Sequence, residues 1–187
     1  MNGVITGFTD WNASTSTWGS GTLTGTIFQY AGAGATINTA KVEGSPPGLH
    51  LTGSVQSSNG GYGGGGLKFF SCVTVASFTK ISMDVYGSAA GCAIELQLQI
   101  YDQRPAEQSP PGGCKSDGGA TCYNFPAKAN FMSPPNSATP TTVSTTLSSL
   151  SNWSTVPAGQ IVGVQWQFTA PGGTCTPNVT FTNIKFQ

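Results

Sequence analysis

Charged residues are scarce in this chain of 187 residues, making up 7% of it, whereas about a quarter is typical of globular domains. Seven Lys and Arg residues balance seven Asp and Glu residues, and the basic ones are scattered along the sequence. Nucleic-acid binding needs a basic surface, which this distribution does not provide. We therefore expect no nucleic-acid partner and a surface built from hydroxyl and amide groups.

Long apolar runs and helical periodicity are absent as well. No stretch approaches the roughly 18 apolar residues of a membrane-spanning helix, so we expect no membrane partner. Hydrophobic residues still make up 37% of the chain, which is enough for a packed core. Nothing resembles a linker between two cores, so we expect residues 1–187 to form one β-sandwich domain.

Groups suited to catalysis are few. His50 is the only histidine, and no Ser or Cys lies in a recognisable nucleophile motif. Glu95 and Asp102 would lie at opposite ends of one strand, too far apart for a glycosidase pair. We therefore predict no catalytic residues and interpret His50 as structural. Without a His cluster, zinc and copper centres are not expected either.

Two segments do carry a clear pattern, the strict two-residue period of half-buried strands. From Cys92 to Tyr101, Ile94, Leu96, Leu98 and Ile100 alternate with Glu95, Gln97, Gln99 and Tyr101; from Ile161 to Phe168, Val162, Val164, Trp166 and Phe168 alternate with Gly163, Gln165 and Gln167. If these strands pair, the four Gln residues share one exposed face with Glu95 and Tyr101 at its ends. Such neutral donors and acceptors suit sugar hydroxyls, although Gln is also an ordinary solvent-facing residue of antiparallel sheets.

The rest of the chain predicts more short strands joined by Gly and Pro turns, among them Thr22 to Tyr30, Leu49 to Val55, Lys80 to Tyr86 and Asn178 to Phe186. The glycine run from Asn59 to Gly66 predicts a loop with Tyr62 as its one large side chain. Residues 102–135 contain six prolines and predict a long irregular connection. Together these features predict an all-β fold, a jelly-roll sandwich of two antiparallel sheets.

Five cysteines leave one unpaired whichever pairs form. Cys114 and Cys122 bracket a short loop with no His nearby to complete a zinc set, which predicts a disulfide. Cys92 and Cys175 each open a strand after a Gly-rich turn, so we expect them to pair and Cys72 to be a buried thiol. The first residues lack a signal peptide, which leaves a cytosolic protein or one whose leader has been removed. The disulfides favour the second, a secreted, extracellular protein.

A sugar site combines polar groups for hydroxyls with aromatic rings for the apolar faces of the sugar. The polar candidates are Glu95, Gln97, Gln99, Gln165 and Gln167. The aromatic candidates are Tyr101, Tyr62 and Trp18, with Trp11 as a further one. Trp166 shares the apolar face of its strand and belongs to the core.

Four segments resemble a known family over nearly the whole chain. They are Val4-Ile-Thr-Gly-Phe-Thr-Asp-Trp11, Gly60-Gly-Tyr-Gly-Gly-Gly-Gly-Leu67, Phe78-Thr-Lys-Ile-Ser-Met-Asp-Val-Tyr-Gly87 and Val179-Thr-Phe-Thr-Asn-Ile-Lys-Phe186. In order and pattern they resemble carbohydrate-binding modules of the galactose-binding-like β-jelly-roll type. The resemblance implies a secreted, non-catalytic module that holds a polysaccharide, such as a β-glucan, on a concave sheet. Modules of this type are often fused to a glycoside hydrolase.

The resemblance implies no required cofactor. Many such modules hold a structural calcium ion through acidic residues of the first and last strands, where this chain has Gly7 and Thr182-Asn183. Calcium is therefore not expected, although Asp10 and main-chain carbonyls could still supply oxygen ligands. Two other functions stay open at this point: a structural or adhesive extracellular domain, and a polysaccharide-active enzyme domain.

Overall fold

A computed structural model of the chain describes residues 3–19, 23–38, 40–115 and 122–187. In these ranges the strands are β1 (Val4–Thr6), β2 (Thr17–Trp18), β3 (Gly25–Ala31), β4 (Ala35–Ile37), β5 (Lys41–Glu43), β6 (Gly48–Gln56), β7 (Tyr62–Val73), β8 (Lys80–Ser88), β9 (Ala93–Ile100), β10 (Ala127–Lys128), β11 (Asn136–Thr146), β12 (Ile161–Thr169), β13 (Thr174–Cys175) and β14 (Asn178–Phe186). Short 3₁₀ helices occupy Ser57–Asn59, Tyr101–Gln103, Leu147–Ser149 and Trp153–Thr155. No helix in the described ranges has the length and apolar character needed to cross a membrane.

The strands form two antiparallel sheets. One has eight strands, with the order β11-β8-β14-β6-β13 and with β1 paired to β14 and β4 and β5 paired to β6. The other has six, in the order β10-β9-β12-β7-β3-β2. The predicted all-β sandwich of two antiparallel sheets is therefore confirmed.

The hydrophobic core lies between the sheets, and the alternation along β9 and β12 determines which side chains enter it. Leu96 and Leu98 of β9 are fully buried, and burial of such a side chain contributes roughly 1.5–3 kcal/mol. Trp166 of β12 stacks on Phe181 of β14, with ring centroids 4.2 Å apart and planes 12° apart. The opposite faces of β9 and β12 therefore point away from the core, as the alternation predicts.

Both predicted disulfides are confirmed. Cys92 precedes β9 of the six-stranded sheet and bonds to Cys175 in β13 of the eight-stranded sheet, so this bond ties the two sheets together. Cys114 bonds to Cys122 within the long connection after β9. The expectation that Cys72 is buried is wrong, because its side chain is exposed. Near it the pairing of β7 with β12 is irregular, since a step of two residues on β12, from Ile161 to Gly163, lies opposite a step of five on β7, from Val73 to Lys68. Val73 takes the buried position.

The glycine run is the largest departure from the predicted elements. Instead of a loop, Gly63 to Gly66 form the first part of β7, which lies between β12 and β3 in the middle of a sheet. Glycine weakens a strand interior, but it is used where another backbone or a ligand approaches closely. At the start of β3 the predicted Thr22 lies outside the described residues, and the strand itself spans Gly25–Ala31.

Candidate functional site

A cleft of about 610 Å³ lies on the face of the six-stranded sheet that points away from the core. Its size is typical of small-molecule sites, which are about 300–1,000 Å³. We call it the cleft; its lining residues are Phe28, Gln29, Tyr30, Ala31, Tyr62, Lys68, Gln97, Gln99, Gln108, Tyr123, Phe125, Gln165 and Gln167. Strands β3, β7, β12 and β9 supply its base and sides, and the connection after β9 supplies one wall.

Hydrogen bonds between side chains run in a single direction across β9 and β12. Arg104 Nη2 donates to Gln99 Oε1 (2.5 Å), Gln99 Nε2 to Gln165 Oε1 (2.6 Å), Gln165 Nε2 to Gln97 Oε1 (2.5 Å), and Gln97 Nε2 to Glu95 Oε1. A guanidinium can only donate and an ionised carboxylate can only accept, so the two ends determine how all three amides are oriented. We call these five side chains the amide network.

Arg104 fixes one end of the amide network from inside the protein. Its side chain is 1% exposed, and it also donates to the carbonyl oxygen of Val162. It lies over Gly163, where a Cβ atom would come within 2.7 Å of Gln99 Oε1 and 3.1 Å of Arg104 Nη2. Burial lowers the pKa of Arg104 to about 10, so the guanidinium remains charged at neutral pH. A side chain at position 163 would displace this anchor.

Aromatic rings form the opposite side of the cleft. Phe28 and Tyr30 of β3 stack with centroids 6.1 Å apart, and Tyr62 lies 6.4 Å from Tyr30. The Tyr30 hydroxyl accepts a hydrogen bond of 3.4 Å from Gln165 Nε2, which links the rings to the amide network. Burial, followed by the charge of Glu95, raises the pKa of Tyr30. The phenol therefore keeps its proton and remains a donor.

Glycine backbone separates the amide side from the aromatic side. Gly66 is in register with Gln165 and Phe28, and Gly64 with Gln167 and Tyr30. We call these two glycines the glycine floor. The strands on either side of it lie two strand spacings apart, about 10 Å. With no side chain on the floor, the space above it is crossed only where the Tyr30 hydroxyl meets Gln165 Nε2.

The connection after β9 supplies the remaining wall. Tyr123 and Phe125 meet edge to face, with centroids 6.0 Å apart and planes 84° apart. Gln108 Nε2 donates to the Tyr123 hydroxyl (3.0 Å), and the Tyr123 N–H donates to the carbonyl oxygen of Gln103 (2.8 Å). Tyr123 is 58% exposed and directly follows the disulfide-bonded Cys122. These contacts hold an exposed aromatic ring at the edge of the cleft. We call Gln108, Tyr123 and Phe125 the loop wall.

The structure brings most of the predicted site residues together. Gln97, Gln99, Gln165, Gln167 and Tyr62 line the cleft, and Glu95 joins it through Gln97. The pairing of β9 with β12 places Gln97 opposite Gln165 and Glu95 opposite Gln167. The face is as predicted, but Gln99 and Gln165 are 3% and 7% exposed, because the amides and Arg104 cover one another.

Three of the four predicted aromatic residues do not line the cleft. Trp18 is fully buried and packs edge to face on Phe69, with centroids 5.7 Å apart, so the interpretation of Trp18 as a ligand-binding ring is wrong. Tyr101 lies in the 3₁₀ helix after β9 and packs against Gly113 instead of lining the cleft. Trp11 is half-buried and also packs against the core.

Other residues that line or support the cleft were not identified as site candidates from the sequence. Phe28 and Tyr30 were placed in a strand, and their spacing of two puts them on one face, but nothing indicated that β3 lies next to β7. Arg104 was one of several scattered basic residues. Within the described ranges no Asp or Glu lines the cleft, and no three His, Cys, Asp or Glu side chains are grouped to hold a metal ion.

Solved structures of other proteins identify the fold, whereas comparisons of sequence find no match. No protein-family model and no curated protein matches the chain. A solved structure of a family 11 carbohydrate-binding module from Clostridium thermocellum, in complex with a β-1,3-1,4-mixed-linked tetrasaccharide, is 15% identical, with a TM-score of 0.56 over 86% of this chain and 87% of that one. The family 11 module of a cellulosomal cellulase from Clostridium thermocellum gives 15% identity and a TM-score of 0.55, over 86% of each chain. The chain therefore has the β-jelly-roll fold of these modules.

Proposed function

We propose that the chain is a non-catalytic carbohydrate-binding module whose cleft holds a polysaccharide, a β-glucan or a similar plant or microbial glycan. The observation that carries this proposal is the amide network facing a row of aromatic rings across the glycine floor. Amides bind hydroxyls in either direction, and rings pack on the apolar faces of pyranoses. An open base leaves room for a chain of sugar units.

Preorganisation is what makes the amide network suitable for sugars. Free Gln side chains would lose rotamer freedom on binding, at a cost of about 0.5–1.5 kcal/mol each. Here Arg104 and Glu95 already fix the amides, so less of that cost falls on binding. Each new hydrogen bond contributes about 1 kcal/mol net. A few such bonds with ring packing correspond to dissociation constants between roughly 1 mM and 1 μM.

The structural neighbours guide the choice of ligand and setting. One of them was solved with a mixed-linkage β-glucan tetrasaccharide, which makes this glucan the first polymer to test. Another belongs to a cellulosomal cellulase, which supports fusion of this module to a glycoside hydrolase. The two disulfides fit the oxidising conditions met by secreted proteins, so we include an extracellular location in the proposal.

The double variant Gln97→Ala/Gln167→Ala tests the proposal. We expect at least a 10-fold loss of affinity, because two hydrogen-bonding side chains leave the cleft, each worth about 1 kcal/mol. The measurement is affinity electrophoresis through gels containing mixed-linkage glucan, xyloglucan, cellulose derivatives, xylan, mannan or pectin. The variant should remain folded, with a modest fall in melting temperature because Gln165 and Glu95 lose Gln97 as a hydrogen-bond partner.

The matched control is Gln56→Ala/Gln187→Ala, which removes two exposed Gln side chains outside the cleft and should leave retention unchanged. If no polymer retards the unmodified protein, the proposal is wrong. A change of oligomeric state in the cleft variant would indicate an adhesive domain instead. New reducing ends that disappear in Glu95→Gln would indicate an enzyme.

A further inference from the structure

Two cationic side chains lie together at one end of the cleft. Gly163 of β12 is in register with Lys68 of β7 and with Gln99 of β9, and the Arg104 guanidinium lies over Gly163. Lys68 is half-buried and lines the cleft directly, whereas Arg104 lies beneath the cleft surface. Lys68, Gln99 and Arg104 therefore form one row across the sheet, which we call the basic end.

The described residues provide no acidic partner at the basic end. Ion pairs in these ranges involve only Lys41, His50 and Glu43, on the eight-stranded sheet. Lys68 Nζ instead donates to the Ser109 carbonyl oxygen (3.2 Å) and lies 5.1 Å from the centre of the Phe28 ring. Buried basic side chains are normally paired with an acid. Burial, followed by the charge of Arg104, lowers the pKa of Lys68, which shows that the two cations disfavour each other.

The other end of the cleft has the opposite charge. Glu95 is in register with Gln167, and Gln167 with Gly64. Gly64 and Lys68 are four residues apart on β7, a distance of about 13 Å along the strand. A negative group on a ligand is therefore attracted at the Lys68 end and repelled at the Glu95 end. A neutral polymer would gain nothing from this asymmetry.

We propose that the basic end binds the carboxylate of a hexuronic acid unit, so that the polysaccharide held in the cleft is an acidic glycan. This inference rests on the proposed function and specifies its ligand class. One carboxylate oxygen accepts a hydrogen bond from Lys68 Nζ. Arg104 is covered and acts through its charge alone, which a carboxylate above it would offset.

The experiment compares glycans that differ only in their carboxylates. One pair is a mixed-linkage β-glucan oligosaccharide and the same oligosaccharide after oxidation of part of its C6 hydroxymethyl groups to carboxylates. A second pair is oligogalacturonate and its carboxyl-reduced form. Calorimetry at low salt should show the carboxylated member of at least one pair binding about 5- to 10-fold tighter. This preference should shrink as sodium chloride is added, because salt screens the charge interaction.

Lys68→Met identifies the side chain responsible. We expect the ratio of acidic to neutral affinity to fall by more than half in this variant, with only the smaller contribution of the Arg104 charge left, while the melting temperature is retained. Lys80→Met is the matched control, since Lys80 is exposed on β8 of the other sheet, and it should keep the ratio of the unmodified protein.

The outcomes separate this inference from the proposed function. Equal affinity for the acidic and neutral members of both pairs would overturn the inference while leaving a neutral-glycan module in place. A preference that is undiminished in Lys68→Met would overturn it too. If no member of either pair binds, the inference is overturned, and affinity electrophoresis with the other polymers decides whether the proposed function fails with it.

Discussion

Replacing Gly66 with Ala is expected to lower the free energy of unfolding by about 3 kcal/mol, at the upper end of the cost of overpacking. The added Cβ atom would lie 2.2 Å from the Val164 carbonyl oxygen and 2.7 Å from the Gln165 Cα atom. These are backbone atoms of β12, and β7 is held between β12 and β3, so neither strand can move aside without breaking pairing. Urea denaturation would measure the loss.

Gly172→Ala is the matched control. A Cβ atom there meets nothing within 4 Å, so we expect a change of less than about 0.5 kcal/mol, as for ordinary surface substitutions. Gly66→Ala should also reduce binding by the folded protein, because Gln165, which the new methyl group would displace, donates to both Gln97 and Tyr30. A stable Gly66→Ala variant with full affinity would show that the glycine floor has neither role.

The sequence was most informative where one physical effect dominates. Burying one face of a strand requires an alternation that is visible along the chain, so β9 and β12 and their inward and outward faces could be predicted. The same alternation placed Gln97 and Gln165 on one face. The expectation that residues 1–187 form one domain is not tested by these observations and stays a prediction.

Features that depend on neighbours in space could not be predicted in this way. The glycine run has no periodicity, and only its position between β12 and β3 shows why side chains are excluded there. Trp18 lies among Ser, Thr and Gly residues, a context typical of a surface loop, yet it fills a gap beside Phe69. Arg104 takes its role from contacts with Val162 and Gly163 of β12, which are close to it only in the folded chain.

Removing each disulfide in turn should distinguish a bond that mainly stabilises the fold from one that mainly supports ligand binding. Cys92→Ala/Cys175→Ala is expected to cost about 4.5 kcal/mol of unfolding free energy, since that bond closes a loop with a sequence separation of 83. Cys114→Ala/Cys122→Ala should cost less, roughly 2.5 kcal/mol, because its separation is only 8. The loss of binding affinity is expected in the opposite order, larger for Cys114→Ala/Cys122→Ala than for Cys92→Ala/Cys175→Ala. Urea unfolding and titration with mixed-linkage glucan would measure both quantities.

The two disulfides should affect binding differently because they lie at different distances from the cleft. Cys92 and Cys175 join the two sheets, and the cleft is built on one of them, so protein that remains folded should keep its affinity. Cys122 precedes Tyr123, and without its bond the loop wall must be ordered by the ligand, which we expect to weaken binding about 10-fold. Tyr123→Ala should weaken binding similarly while leaving both disulfides intact. Unchanged affinity in both loop variants would mean that the ligand does not contact the loop wall, and the site would then be confined to the amide network and the aromatic rings of β3 and β7.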